Sequence, residues 1–210
     1  MRLGCTMLIV GLLGVAGLAA GSVWVGFRMS QEPEVLATPG TAEDGVRGQQ
    51  KLYEIVSSGS GRARGRAREV AISEPELNAF LSRHLAEAAK TPFRSGTVRL
   101  VGDGFIEFKG QLPLRHVLAI VDLLPAQWLE RPVWLHLGAR PSLEVGSGRA
   151  HRRYIRLDVE RLAIGRQPLP GVLLRVLLNP AVLNQLRWRV PETVEAITIE
   201  NRSVVIRSAS

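Results

Sequence analysis

The chain has 210 residues, 46% of them hydrophobic, and a formal net charge of +8; that is enough for one domain of roughly 150 residues with an appended segment. The positive surplus is carried by arginine, since Lys51, Lys90 and Lys109 are the only lysines. It points to anionic surfaces, lipid or nucleic acid, without choosing between them. The single cysteine, Cys5, excludes an internal disulfide and a cluster of thiolate metal ligands.

No charge interrupts the chain between Arg2 and Arg28. As a helix, Cys5 to Phe27 spans about 34 Å at about 1.5 Å per residue, against roughly 30 Å of bilayer hydrocarbon. Residues 1–28 are therefore expected to be a transmembrane anchor. Trp24 and Phe27 stand near its far end, where aromatic rings favour the interface, and Arg2 with the terminal amine gives a positive-inside bias. The expected location is the cytoplasmic membrane, single-pass, with the bulk of the chain on the extracytoplasmic, periplasmic side. A cleaved signal peptide is the rival, with small residues at Gly17, Ala19 and Ala20; apolarity continuing through Val23, Trp24 and Val25 favours the retained anchor. Cys5 precedes the apolar run instead of ending it, which argues against a lipoprotein.

Residues 29–48, with Pro33, Pro39, Gly40 and several acids, have no sustained periodicity and read as a linker, leaving 49–210 as the folded domain. Gln49 to Val56 is a short helical candidate, ended by Ser57-Ser58-Gly59-Ser60-Gly61. Arg62, Arg64, Arg66 and Arg68 follow at alternate positions. Close to a membrane they could attract anionic headgroups at about 1 kcal/mol each, though a solvated basic loop is the simpler reading. Nucleic acid is not an expected partner, because no aromatic residue interleaves these arginines as a stacking platform requires.

Ser73 with Glu76 forms a capping-box signature, with Pro75 in the first turn. From there Leu77, Phe80, Leu81 and Leu85 share one helical face, and Glu76, Arg83, Glu87 and Lys90 the other. Burying those four apolar side chains contributes on the order of 6–12 kcal/mol as an upper bound. The helix needs an apolar surface to lie on, and alternating strands supply one. Val98 and Leu100, then Ile106 and Phe108, flank the turn signal Gly102-Asp103-Gly104. Pro113 to Leu124 has helical spacing closed by Pro125. Val133, Leu135, Leu137 and Ala139 alternate with polar neighbours until Pro141, where a bulge or bend is expected. Gly146-Ser147-Gly148 turns the chain into Ile155, Leu157 and Val159, making a long hairpin from about Val133 to Ile164. Val172 to Leu178 is apolar almost all round, hence either wholly buried or beside something greasy. Ile197, Ile199 and Val204, Ile206 close the chain as a hairpin whose left-handed position falls to Asn201. The expected fold is α+β, an N-terminal transmembrane helix followed by a curved antiparallel β-sheet wrapped around an amphipathic helix.

Ile72-Ser73-Glu74-Pro75-Glu76-Leu77-Asn78-Ala79-Phe80-Leu81 resembles the opening of a family of bacterial membrane-anchored envelope proteins, and Ile164-Gly165-Arg166-Gln167-Pro168-Leu169-Pro170 resembles their entry into an apolar helix. That family is similar to the tubular lipid-binding (TULIP) superfamily, in which a bent sheet wraps a helix and encloses a groove for acyl chains. The resemblance covers about Gln49 to the C-terminus. It implies that Leu77, Phe80, Leu81 and Leu85, with Val133, Leu135, Leu137, Leu173 and Leu177, line a site for a lipid or other apolar ligand. It carries over no catalytic residue.

The four histidines, His84, His116, His136 and His151, form no H-x-x-x-H or H-E-x-x-H pair, so no metal site is expected. The glycine-rich stretches match neither a P-loop nor a dinucleotide fingerprint, and Ser58 lies in no G-x-S-x-G elbow. Asn78, between Leu77 and Phe80, is expected to bond a neighbouring backbone group. No cofactor and no enzymatic activity are expected. Two functions remain: a membrane-anchored binding module for a lipid or apolar ligand, and a structural or scaffolding envelope protein whose groove is filled by its own side chains.

Overall fold

The computed structural model describes residues 2–58, 68–87, 93–116, 126–145, 152–171 and 187–208. In chain order they form α1 (Arg2–Ser30), α2 (Ala42–Ser58), β1 (Arg68–Ser73), α3 (Glu74–Glu87), β2 (Ser95–Gly102), β3 (Phe105–Pro113), a 3-10 turn at Leu114–His116, α4 (Ala126–Leu129), β4 (Pro132–Val145), β5 (Arg153–Ile164), β6 (Gln167–Pro168), β7 (Arg187–Val190), β8 (Val194–Glu200) and β9 (Ser203–Ser208). The architecture is α+β with a curved, open antiparallel sheet. The larger sheet runs β2-β3-β4-β5-β6 with β7 also on β5, and a smaller one runs β1-β9-β8.

Strict alternation sorts the larger sheet into two unlike faces, because side chains on adjacent strand residues point to opposite sides. The rows Val98–Phe108–Leu137–Leu162 and Leu100–Ile106–Ala139–Val159 make one face apolar. Thr97–Lys109–His136–Ala163 and Arg99–Glu107–Gly138–Arg161 make the other polar. Gly138 pairs with Arg161 while Ala139 pairs with Val159, so Glu160 is an extra residue on β5. Such a bulge bends the strand and resets its parity. The bend expected at Pro141 is absent there, since Pro141 pairs in register with Leu157.

On the apolar face α3 sets Leu77 and Leu81 against Val98, Leu100 and Ile199, with Ile106, Phe108 and Val204 closing the cluster. A second cluster joins Ile55 and Leu52 of α2 to Ile72 and Val194 of the smaller sheet, and Leu77 belongs to it too. α3 is therefore wedged between α2 and both sheets. Gly102-Asp103-Gly104 forms the β2–β3 turn with φ values of 100°, 49° and 75°. In the β8–β9 turn the left-handed residue is Arg202, φ 66°, and not Asn201. Of the helix expected over Pro113–Leu124, the 3-10 turn is what the described residues contain.

Residues 29–48 are no free linker. α2 begins seven residues earlier than its apolar spacing suggests, at Ala42, because Thr41 and Asp44 form a capping box: the Asp44 N–H donates to Thr41 Oγ1 at 3.3 Å and the Thr41 N–H to Asp44 Oδ2 at 2.8 Å. Ahead of it Val35 is buried, with 4% of its surface exposed.

The stretch Glu74-Pro75-Glu76-Leu77-Asn78 buries three polar side chains, with Glu74 2%, Glu76 4% and Asn78 4% exposed. Each replaces backbone partners that the fold would otherwise leave unsatisfied. β2 is an edge strand, and Asn78 pairs with it as a strand would: Val98 N–H donates to Asn78 Oδ1 at 2.7 Å and Asn78 Nδ2 donates to Val98 O at 2.8 Å. One turn earlier, Glu74 accepts from Leu100 N–H at 2.7 Å and, with its other oxygen, from Thr38 N–H at 2.6 Å. Arg202 N–H donates to Leu100 O at 3.2 Å, completing the cover. Glu76 accepts from Ser73 N–H at 2.8 Å as its capping-box role requires, and Lys51 Nζ reaches both carboxylate oxygens at 2.8 Å.

Burial alone would raise the Glu76 pKa, but the Lys51 hydrogen bond and the Ser73 N–H outweigh it and hold the carboxyl below 4.5. A folded-state pKa below the unfolded one gives stability that is complete above pH 4.5 and lost as pH falls through the folded value. The urea midpoint should therefore fall on acidification below about pH 4.5, and Glu76→Gln should flatten that dependence; parallel wild-type and variant curves would refute the assignment.

Candidate membrane-proximal site

α1 contains a window, Leu12–Ser30, long and apolar enough to cross a membrane, with mean hydropathy 1.5 and none of it buried. Its uncharged run ends at Arg28, two residues before the helix itself ends. There the chain meets the β5–β6 turn. Gly165 has φ +58°, and a Cβ on it would lie 2.4 Å from Met29 O and 2.5 Å from Arg28 O. Only glycine satisfies both the left-handed backbone and the approach of the helix end. Gly165 N–H donates to Trp134 O at 2.7 Å, and Arg166 N–H to Arg28 O at 2.9 Å. Arg28 returns a bond from its guanidinium to Arg166 O at 3.1 Å.

The following residues extend this clamp across the polar face. Arg166 donates from Nε to Glu32 O at 3.0 Å and pairs with Glu34 at 2.7 Å. Glu32 in turn pairs at 2.7 Å with Lys109, whose ammonium lies 5.9 Å from the centroid of the Trp134 ring. Six residues on, Thr38 bonds to Glu74 and accepts from Asn78 at 3.0 Å. The end of α1 is thus fixed to the edge of the larger sheet, and the segment leading from it is fixed along the sheet to α3.

A pocket of about 640 Å³ opens beside this junction, lined by Arg28, His136, Arg161 and Arg166 together with Ala163 and Pro168. Glu34 and Glu160 also border it. Burial lowers the His136 pKa below its ordinary value and Arg161 lowers it further, against the opposing pull of Glu107 3.9 Å away.

The residues expected to line an apolar groove fall into separate packed clusters. Leu77 and Leu81 lie under α3 as described, and Leu85 closes over Gly96, where an added Cβ would come within 2.6 Å of it. Phe80 turns aside to stack on His84 at 3.9 Å. Leu137, with Leu135 beside it, packs on Ala139 and Leu162, and Val133 faces Leu112 on β3. The two groups meet through Ile106, which touches both clusters. Leu173 and Leu177 lie outside the described residues, as do Arg62, Arg64 and Arg66; Arg68 opens β1 opposite Ser208. Among the described residues no group of three or more His, Cys, Asp or Glu side chains could hold a metal ion. No protein-family model, no curated protein and no solved structure matches the chain.

Proposed function

We propose that the protein is a non-catalytic, membrane-anchored envelope module that holds a side-chain-filled α+β domain against the outer surface of the bilayer and serves there as a scaffold. The observation that carries this reading is the clamp at Gly165, which joins the last carbonyls of the apolar helix to the sheet without a free tether. Such a connection fixes the distance and orientation of the domain to the membrane, which a soluble binding protein on a flexible leash does not need.

The likeness to tubular lipid-binding proteins would place a ligand between α3 and the sheet. The packing of Leu77, Leu81 and Leu85 against Val98, Leu100 and Gly96 supports a filled core instead. Enlarging Leu81 to Trp separates the two: in a filled core overpacking should cost about 1–3 kcal/mol, whereas a groove with room would accept the ring. An unchanged melting temperature for Leu81→Trp would overturn the filled-core reading. Protease added outside intact spheroplasts should digest the domain, and a chain resistant until lysis would overturn the extracytoplasmic placement.

A further inference from the structure

We propose that the pocket at the end of α1 binds the phosphate oxyanion of a phospholipid headgroup that is anionic overall, with Arg28 and Arg161 as its cationic contacts. The inference rests on α1 spanning the bilayer, as the function proposed above requires.

Position comes first. Arg28 is the first charge after the apolar run of α1, so in a spanning helix it stands at headgroup level. The pocket it borders therefore opens where phosphates are concentrated. Charge comes second. Three guanidiniums border the pocket against two carboxylates, and both carboxylates are engaged: Glu34 by Arg166 at 2.7 Å and Glu160 by Arg140 at 2.6 Å. Arg28 and Arg161 have no carboxylate partner among the described residues. Arg28 bonds a single backbone carbonyl, and Arg161 sits 5.5 Å from the Phe105 ring, which orients its guanidinium without neutralising it. A guanidinium left without a carboxylate is suited to a phosphate, whose oxygens match its planar fork.

The lining supplies the third observation. Ala163 and Pro168, paired across β5 and β6 on the face of His136, give the pocket an apolar side beside the arginines, and Arg166, locked to Glu32 and Glu34, keeps the polar side in place. A free phosphate has no use for the apolar wall, whereas the glycerol and first methylenes of a lipid do. The bulge at Glu160 helps build the arrangement, since the reset parity puts Arg161 in the same cross-strand row as Glu107 and Gly138 on the polar face.

The test uses the full chain in nanodiscs of equal parts phosphatidylcholine and phosphatidylglycerol, ejected into a native mass spectrometer. Phosphatidylglycerol should be retained in preference to phosphatidylcholine. Arg28→Gln and Arg161→Gln should each lower that retention about fivefold, equivalent to about 1 kcal/mol per basic residue near the surface. Arg207→Gln, which removes a pair with Glu69 on the smaller sheet, should leave it unchanged, and the three variants should melt as the parent does. Unselective retention, or retention untouched by both pocket substitutions, would overturn the proposal. Displacement of the lipid by inorganic phosphate at matched concentration would overturn it too, assigning the site to a soluble phosphate. A chain released from membranes by alkaline carbonate would defeat the anchored reading itself; an inserted chain with unselective retention would defeat the pocket alone.

Discussion

Replacing Asn78 with leucine is expected to lower the melting temperature by roughly 6–12 °C, the equivalent of about 3 kcal/mol in a domain of this size. Leucine nearly matches the shape and leaves Val98 N–H and Val98 C=O without partners at a buried strand edge, together with Thr38 C=O. Each orphaned buried group costs about 1–3 kcal/mol, and apolar contact recovers little of it. Aspartate provides the sharper comparison. It keeps the acceptor for Val98 N–H but sets a carboxylate oxygen against two carbonyls, so Asn78→Asp should be no better than leucine. Scanning calorimetry on the three proteins decides the matter. A loss under about 1 kcal/mol for both variants would mean that water or a backbone shift satisfies β2 without the amide. The uncovered edge should also make both variants aggregate faster, since an unpaired strand is a template for another.

Gly165→Ala should loosen the junction between α1 and the sheet while sparing the core. The added methyl would meet Arg28 O and Met29 O at about 2.5 Å or less, so the helix end must move. The left-handed backbone adds about 1–2 kcal/mol of its own for a residue with a Cβ. A local opening made easier by about 3 kcal/mol would speed amide exchange at Arg166, which donates to Arg28 O, by about two orders of magnitude. Protease sensitivity between Arg28 and Leu36 should rise in parallel. Asparagine distinguishes strain from crowding: it tolerates positive φ but still carries the Cβ, so Gly165→Asn should behave like alanine. If asparagine restored slow exchange, the backbone angle alone would explain the glycine, and the close approach to α1 would not matter.

What the chain discloses by itself is what short-range physics writes. The Ser73–Glu76 box, the Gly102-Asp103-Gly104 turn and the odd-numbered apolar residues of β4 were legible because each depends on spacings of two to four residues. The same signals were present at Thr41 and Asp44, which begin α2, and in the change from Ile155, Leu157 and Val159 to Leu162 and Ile164, which marks the bulge at Glu160. Pro141 was a misleading cue, since a proline can also sit in a strand that keeps its register. The edge cover was beyond local reading. Glu74 and Asn78 find partners in Thr38, Val98 and Leu100, which no periodicity links to them. The junction is less legible still, because Arg28 and Arg166 lie 138 positions apart and their contact runs through backbone atoms common to every residue. Leu77, Leu81 and Leu137, expected to line a groove, pack into the core clusters, whereas Phe80 stacks on His84; spacing reports which way a side chain points and not whether space is left in front of it.

Because the β5–β6 turn grips the final carbonyls of α1, helix and sheet rotate together like a shaft keyed to a wheel. One extra residue upstream of the grip, between Val25 and Gly26 for instance, would turn the sheet by about 100° relative to the rest of the helix and displace it by only about 1.5 Å along the axis. Any neighbour that reads one side of the helix is therefore in register with one side of the sheet, and the length of the apolar segment sets a compass bearing as well as a span.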